Sequence, residues 1–341
     1  MKKLAYDCIL FEKCNLNCKH CFQQIHKTSW DQAAHKTLLS TFKDSFIKQY
    51  EARDKQLDQL TVSFCGGELF MDGVLDDQIY DYQKLHDEIS TIVFNENYSG
   101  QLSFEFISNG VFTKRDRVLK LLENTNSTIS ISYDPVHRYR SEKQKQLVVD
   151  NIAFFDIHNV LDEISITLTK QSIQHYVNND DLKQFTNNSI GINYYIGSGK
   201  NCQSLIPSDD DYWDFWKYCV DKQYYNIKAL NQFSRSITQN KRELFCICDD
   251  KLIIRNGTAT YNCAKYSYGY NDHDFYSHEY ITEENVRLIK RTEGQYKRGC
   301  MWCPHISICP GMCWLSILFK HSTITDNCPC KRLIEYVKSN S

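Results

Sequence analysis

The sequence predicts an α/β fold in which strands and helices alternate to build a parallel sheet. Short apolar runs bounded by turn residues recur along residues 1 to 200, and amphipathic helical patterns lie between them. Repeated alternation of strand and helix favours parallel strands, and right-handed crossovers would wind the sheet into an open or closed barrel. In a barrel of this kind the active loops follow the carboxyl ends of the strands.

Six apolar runs are predicted to form the strands of this sheet. Each is short, contains β-branched or aromatic residues and is bounded by turn residues, as strands in soluble domains are. The runs cover residues 7 to 12, 60 to 64, 102 to 107, 128 to 132, 163 to 168 and 190 to 196.

Amphipathic runs between these segments are predicted to form the connecting helices. The first follows a capping-box-like Ser29-x-x-Gln32, and its apolar residues recur at near-helical spacing: Ala34, Leu38, Phe42, Phe46 and Tyr50. The second shows the same pattern at Ile79, Tyr82, Leu85 and Ile89. Further helical runs cover residues 114 to 123, 142 to 157 and 172 to 187.

The alternation of strands and helices stops near residue 200. Residues 201 to 240 are rich in aromatic side chains and predict a helical bridge, while residues 241 to 341 are crowded with cysteines and predict a small second domain. The aromatic side chains of the bridge either line a peptide groove or pack between the two domains. The expected organisation is therefore a barrel over 1 to 200, a bridge over 201 to 240 and a cysteine-rich domain over 241 to 341.

Composition and charge exclude several classes of protein. The formal net charge is -2, and the basic residues are dispersed, so no track for nucleic acid is expected. The N-terminal MKKLAYDCILFEKC is too short and too interrupted for a signal peptide, and no stretch approaches the roughly 20 apolar residues of a membrane span. We expect a soluble cytoplasmic protein whose 16 cysteines are reduced, with the clustered ones holding metal rather than forming disulfides.

The loop after the first predicted strand carries three cysteines. In EKCNLNCKHCF, residues 12 to 22, they are Cys14, Cys18 and Cys21. Three thiolates on one loop can hold three irons of a [4Fe-4S] cluster and leave the fourth iron open for a substrate. A zinc ion with a distant fourth ligand is the alternative, because thiolate groups alone do not separate zinc from iron-sulfur.

This C-x3-C-x2-C loop resembles the signature of the radical S-adenosylmethionine (SAM) superfamily. The resemblance implies a partial (β/α)6 barrel related to the TIM barrel. It also implies a cluster whose open iron chelates the amino and carboxylate groups of SAM. An electron from that cluster would cleave SAM to a 5′-deoxyadenosyl radical, which abstracts a hydrogen atom from the substrate. His20 stands where the family commonly has an aromatic residue.

Three further segments resemble SAM-binding turns of the same family. Residues 64 to 69 are similar to its GGE segment, in which glycines permit close approach to a ligand. Residues 107 to 110 resemble its T-N-G turn, with Ser in place of Thr, and residues 131 to 140 resemble a stretch that ends in His and Arg. Each segment could also be a turn without a ligand. The resemblance assigns to SAM the residues Gly66, Gly67, Glu68, Ser108, Asn109, Ser132 and Arg140.

The C-terminal cysteines resemble the SPASM extension of radical SAM enzymes, in which a cysteine pair flanks a glycine hairpin before a C-x2-C-x5-C-x3-C run. The hairpin turn here is Asn256-Gly257, a favoured two-residue turn. One auxiliary [4Fe-4S] cluster is then implied for Cys246, Cys248, Cys263 and Cys313. The other is implied for Cys300, Cys303, Cys309 and either Cys328 or Cys330, of which Cys328 is preferred. Two structural zinc ions are the alternative.

The leading functional hypothesis follows from the resemblance, because SPASM members act mostly on peptides and proteins. We expect an oxidoreductase-type maturase that forms a thioether or carbon-carbon crosslink in a ribosomal precursor peptide. One alternative is conversion of Cys or Ser to formylglycine, as in anaerobic sulfatase maturation. Ala264 argues against it, since an Asp base follows the hairpin cysteine in those members. Another alternative is a zinc-stapled binding module without catalysis.

Partners and remaining cysteines complete the expectations. A ferredoxin or flavodoxin should supply the low-potential electron. The first strand begins near residue 6, so leader recognition is expected from the barrel surface or from a separate protein. Core positions are expected for the remaining cysteines, of which Cys65 adjoins the GGE segment: Cys8, Cys65, Cys202 and Cys219.

Overall fold

The structure is a computed structural model, and it describes residues 2–21, 31–195, 203–241, 251–260, 300, 303–309 and 328–340. Several residues to which the sequence analysis gives a role lie outside these ranges: Ser29, Cys202, Cys246, Cys248, Cys263, Ala264 and Cys313.

One sheet runs through the described residues and confirms the parallel α/β fold. Its strand order is β6-β5-β4-β3-β2-β1-β7-β8, and β1 to β6 are parallel to their neighbours. Strands β6 and β8 stand at its two edges, so the sheet of the described residues is open. The strands are β1 (Lys3–Ile9), β2 (Gln59–Cys65), β3 (Gln101–Ser108), β4 (Thr128–Tyr133), β5 (Leu161–Leu168), β6 (Ile190–Tyr194), β7 (Lys251–Arg255) and β8 (Thr258–Thr260).

The first strand differs from the sequence prediction of residues 7 to 12. It pairs with β2 from Lys3 to Ile9, and the next residues, Leu10 and Phe11, are buried in a loop. Leu10 N donates a hydrogen bond to the carbonyl of Cys65 at 2.9 Å as the two strands end. The apolar run therefore predicted which residues are buried, but the buried residues continue beyond the last residue that pairs with β2.

The predicted hairpin at Asn256-Gly257 is confirmed. Strands β7 and β8 are antiparallel, and both turn residues have positive φ, 48° and 75°, as the favoured two-residue turn requires. Strand β7 also pairs in parallel with β1, from Ala5↔Lys251 to Cys8↔Ile254. The sequence patterns did not predict this pairing between the first and the seventh strand.

The described helices lie between the strands, except the last, which follows β8. They are α1 (Gln32–Glu51), α2 (Asp72–Asn95), α3 (Arg115–Asn124), α4 (Glu142–Ile157), α5 (Lys170–Asn179), α6 (Asp209–Asp221), α7 (Lys228–Thr238) and α8 (Pro329–Asn340). The N-cap of α1 is Asp31, whose side chain accepts from Ala34 N, rather than the predicted Ser29. The helical run predicted over 172 to 187 is divided at Asp180, where φ is 54°, into α5 and a 3₁₀ turn. No helix of the described residues has the length and apolar character needed to cross a bilayer.

The two faces of the sheet differ in chemistry. Because β1 to β6 follow in sequence order, right-handed crossovers place their helices on one face. Tyr6 packs against Phe42 of α1 on that face, with ring centroids 4.9 Å apart, and Phe106 lies by Tyr82 of α2. Strand alternation turns the intervening residues to the opposite, inner face. That face carries Asp7, Ser63, Glu105, Ser130, Glu163 and Lys251.

The aromatic bridge forms α6 and α7, and its largest rings pack helices together. Tyr212, Phe215 and Trp216 are buried, so these three side chains do not line a groove. Helix α8 docks on α6 through Arg332, whose Nη1 lies 2.7 Å from Asp210 and whose guanidinium carbon lies 4.4 Å from the centre of the Trp213 ring. The packing alternative accounts for the buried rings of this segment.

Candidate functional site

The loop after β1 carries Cys14, Cys18 and Cys21 at the carboxyl edge of the sheet. All three are half-buried thiols that form no disulfide. Leu16 N donates to Cys14 Sγ at 3.4 Å, and Cys21 N donates to the carbonyl of Cys18 at 3.1 Å. These short-range bonds fold the loop locally around Cys14 and between Cys18 and Cys21.

Gly66 and Gly67, at the end of β2, hold the start of this loop by direct backbone contact. Gly67 N donates to the carbonyl of Phe11 at 2.7 Å, and Glu68 N donates to that of Lys13 at 2.9 Å. A Cβ on Gly67 would lie 2.0 Å from the Lys13 carbonyl oxygen, and one on Gly66 would lie 2.6 Å from that of Phe11. The two glycines are therefore required for the approach of the cysteine loop.

Glu68 joins the ends of β2 and β3. Its side chain is buried and accepts hydrogen bonds from Ser108 Oγ at 2.7 Å, Asn109 N at 2.6 Å and Phe70 N at 3.0 Å. Burial raises the pKa of this carboxyl, although the three donors act in the opposite direction. Glu68 was predicted to contact SAM, and here its carboxylate is engaged by protein donors.

Asn109 connects β3 to the cysteine loop. Its Nδ2 lies 3.6 Å from Cys14 Sγ and donates to Asn15 Oδ1 at 2.8 Å. Asn15 in turn donates to the carbonyl of Val111 at 2.7 Å. Ser108 and Asn109, both predicted as SAM ligands, are buried and fix the geometry around the first thiol.

The thiols of the loop lie in an environment that resists their ionisation. Burial raises the pKa of Cys14 to about 11, and nearby Glu68, Cys18 and Cys21 add to the rise. Burial likewise raises the pKa of Cys18, which Arg138 opposes. Thiolates grouped here need a strongly cationic partner, and a metal cluster supplies one. The donor set therefore fits an iron-sulfur cluster.

A single metal ion fits the cysteine loop less well than a cluster. Cys14, Cys18 and Cys21 are not placed to converge on one ion. A [4Fe-4S] cluster places each thiolate on a different iron, which spaces its ligands more widely than one zinc ion does.

The segment after β4 meets the cysteine loop through His20. His20 Nδ1 lies 3.0 Å from Asp134 Oδ2, and both side chains are buried. Burial lowers the pKa of His20; the imidazole holds the pKa of Asp134 below its usual value even though burial opposes that shift. Asp134 also accepts from Val136 N at 2.9 Å. The pair fixes the loop to the end of β4.

Of the two predicted residues after residue 130, Ser132 is half-buried on β4, and its carbonyl accepts from Tyr139 Oη at 3.4 Å. Arg140 is exposed, and its backbone N–H donates to Gln144 Oε1 at 2.8 Å. Arg138, which sequence reasoning did not select, lies closer to the thiols. The charges of Cys18, Tyr139 and Asp134 raise the pKa of Arg138 against the opposing effect of burial.

The hairpin also touches the cysteine loop. Arg255, at the end of β7, forms an ion pair with Glu12, whose side chain is buried just before Cys14. This contact and the β1–β7 ladder bring the C-terminal segment against the candidate site.

Four of the C-terminal cysteines come together. The Cys330 thiol contacts those of Cys309 and Cys328, and these hydrogen bonds raise its pKa well above the usual value. Burial raises the pKa of Cys303, with further contributions from Cys309 and Cys328. The carbonyl of Cys300 accepts a hydrogen bond from Cys303 N at 3.0 Å. Of the two candidates for the closing ligand, Cys330 contacts Cys309, and Cys328 contacts Cys330.

Glu105 is a carboxyl on the inner face whose surroundings disfavour its charge. It accepts hydrogen bonds from Ser63 Oγ at 2.9 Å and from Ser130 Oγ. Burial, with smaller contributions from Asp162 and Glu163, raises its pKa from 4.5 to about 6.

Glu105→Gln should therefore stabilise the fold at pH 8 by about 1 to 2 kcal/mol and leave it unchanged near pH 4. The raised pKa means that the wild-type side chain favours folding when protonated, and this contribution is lost as the pH rises from 4.5 through about 6. Denaturant unfolding at both pH values measures the difference. Exposed Glu51→Gln is the control, and equal shifts in the two variants would contradict the prediction.

Among the comparisons with known proteins, only the one with solved structures found matches, and these matches show a similar fold. The sequence matches no protein-family profile. It matches no curated protein either. A hexahistidine-tagged anSMEcpe with bound AdoMet matches with a TM-score of 0.71 and 16% identity, over 99% of this chain and 97% of that chain.

Two further structures have the same fold. Native anSMEcpe with bound AdoMet and Cp18Cys peptide gives a TM-score of 0.68 at 14% identity, over 99% of this chain and 97% of that chain. Streptococcus suis SuiB gives 0.54 at 14% identity, over 96% of this chain and 77% of that chain. The chain therefore has the partial α/β barrel fold of these structures.

Proposed function

We propose that the protein is a radical SAM enzyme that acts on a peptide or a protein. The observation that carries this proposal is the cysteine loop, which presents three thiols outside any disulfide at the carboxyl edge of an open parallel barrel. The likeness to anSMEcpe with bound AdoMet and peptide supports both the cofactor and the substrate class.

In this proposal Cys14, Cys18 and Cys21 would hold a [4Fe-4S] cluster. The cluster would supply the electron that cleaves SAM. Gly66 and Gly67 fix the loop, and Glu68 fixes the turn that presents Asn109. The chain's own residues thus set the position of the thiols.

Arg138 is the better candidate for the carboxylate of SAM, because its guanidinium lies near Cys18 and Cys21 whereas Arg140 is exposed. Arg138→Gln should weaken SAM binding by about tenfold or more, since a charge-assisted hydrogen bond contributes about 1.5 to 3 kcal/mol. Arg140→Gln is the matched control and should leave the affinity within about twofold, about 0.4 kcal/mol. Equilibrium dialysis with radiolabelled SAM measures both, and a larger loss in the Arg140 variant would reverse the assignment.

The finer proposal is a SPASM-type maturase that forms a thioether or carbon-carbon crosslink in a ribosomal precursor peptide. Two auxiliary clusters belong to it, one on Cys246, Cys248, Cys263 and Cys313 and the other on Cys300, Cys303, Cys309 and Cys328 or Cys330. The convergence of Cys303, Cys309, Cys328 and Cys330 supports the second set. A ferredoxin or flavodoxin would deliver the electron.

The test is anaerobic purification followed by incubation with SAM, dithionite and candidate peptides encoded beside the gene. Iron, sulfide and 5′-deoxyadenosine are expected, together with a peptide whose mass and fragmentation report a crosslink. If the product carries an aldehyde instead of a crosslink, the reaction is formylglycine formation and the crosslinking proposal is wrong. A colourless protein that contains zinc and leaves SAM intact would overturn the proposal in favour of a binding module.

A further inference from the structure

Two of the three strand carboxylates described on the inner face of the sheet, Asp7 and Glu163, form ion pairs with lysines, and Glu105 does not. Asp7 Oδ2 lies 2.8 Å from Lys251 Nζ, and Glu163 Oε2 lies 2.7 Å from Lys228 Nζ. Among the residues that the structure describes, Glu105 is bonded by the hydroxyls of Ser63 and Ser130 and by no cation.

Glu105 is held in place and remains reachable. Its two serine partners come from the strands on either side, so the carboxylate is oriented from both β2 and β4. The side chain is half-buried rather than sealed. A carboxylate with fixed direction, partial exposure and no counter-charge favours a cation that arrives from outside the fold.

The residues in register with Glu105 on the neighbouring strands form a row that gives a second observation for a cation site. Asp7, Ser63 and Glu105 are in register across β1, β2 and β3. Asp7 is only 4% exposed, yet its Oδ1 has no hydrogen-bond partner among the described residues. The negative charges of Asp7 and Glu105 also reach Cys65, where they contribute to a raised thiol pKa that is due first to burial. Lys251 pairs with Asp7, so the negative charge of the row that no described cation balances is that of Glu105.

We propose that Glu105 is the centre of a subsite on the inner face that binds a lysine or arginine side chain of the substrate, with Asp7 adding to the attraction. The inference rests on the proposed action on a peptide or protein, and it narrows the substrate class to one that places a basic residue inside the barrel. Ser63 and Ser130 orient the carboxylate toward that residue.

Calorimetric titration of the full-length, iron-loaded protein with two capped tetrapeptides, one of lysine only and one of glutamine only, tests the subsite. No reductant is added, so binding is measured without turnover. The wild type should bind the tetralysine probe at least about tenfold more tightly, as expected for a hydrogen bond to a charged group. Glu105→Gln should remove this preference, and Glu51→Gln, an equal charge change on an exposed site of α1, should keep it.

Equal affinity of the wild type for both probes would overturn the proposal, and so would a lysine preference that survives in Glu105→Gln. Loss of the preference in Glu51→Gln as well would assign the attraction to overall charge, which also overturns it. A wild type that cleaves SAM but ignores the tetralysine probe refutes this subsite alone. A protein that never cleaves SAM refutes the proposed function, whatever it binds.

The wild type also provides a test that needs no variant. Affinity for the tetralysine probe should fall as the pH drops from 8 to 5, with a midpoint near the Glu105 pKa of about 6. An ordinary glutamate would retain its charge to about pH 4.3, so affinity that stays constant down to pH 5 would exclude Glu105. The charged or titratable groups around it are Asp7, Cys65, Asp162, Glu163, Lys228 and Lys251.

Discussion

Replacement of Cys14, Cys18 or Cys21 by alanine is expected to reduce 5′-deoxyadenosine formation to background. Each thiol would bind a different iron, and neighbouring thiols cannot substitute because the loop is fixed by the Leu16 and Cys21 backbone bonds. Iron and sulfide analysis with chromatographic detection of deoxyadenosine measures the loss.

The control removes a thiol that lies elsewhere. Cys219 is buried in α6 among apolar residues, and burial raises its pKa well above the usual value. Cys219→Ala should retain SAM cleavage with a modest loss of stability. SAM cleavage that survives replacement of all three loop cysteines would refute the cluster assignment.

Gly67→Ala is expected to have the largest effect of any single methyl addition to the site. The new Cβ would lie 2.0 Å from the Lys13 carbonyl oxygen, a backbone atom that cannot rotate away. The start of the cysteine loop must therefore move, which should cost about 3 kcal/mol of unfolding free energy, the upper end of the usual range for overpacking. Both the thermal midpoint and the bound iron should fall.

Gly73→Ala is the matched control, because no atom lies within 4 Å of the position its Cβ would occupy near the start of α2. Alanine is the better helix former, so this variant should be as stable as the wild type or more stable by up to about 1 kcal/mol. Wild-type stability and iron content in Gly67→Ala would contradict the close approach described above.

Local sequence patterns were sufficient for much of the fold. All six parallel strands were predicted within a few residues because their apolar runs are short and well bounded, and the hairpin followed from Asn256-Gly257. The pairing of β7 with β1 was not predictable in this way. It joins residues about 245 positions apart, Ala5 and Lys251, and neither run carries a mark of its partner.

The site shows the same division. Spacing identified the cysteine loop, but the resemblance selected Arg140 and not Arg138, because nothing in the sequence shows how the irregular segment after β4 turns. Glu105 was missed although a pattern existed: strands buried on both faces are usually apolar throughout, and here Asp7, Ser63 and Ser130 share a polar face with it. A search for polar residues at every second strand position would have found the row.

The β1–β7 ladder also bears on how the chain is made. During synthesis β1 emerges first, and one of its edges stays open until residues 251 to 255 have left the ribosome. An exposed strand edge can pair with a strand of another chain. Until residues 251 to 255 are available, Asp7 and Glu12 also lack their ion-pair partners Lys251 and Arg255. A chain truncated after residue 240 should thus be prone to aggregation even though every strand of the barrel proper is present.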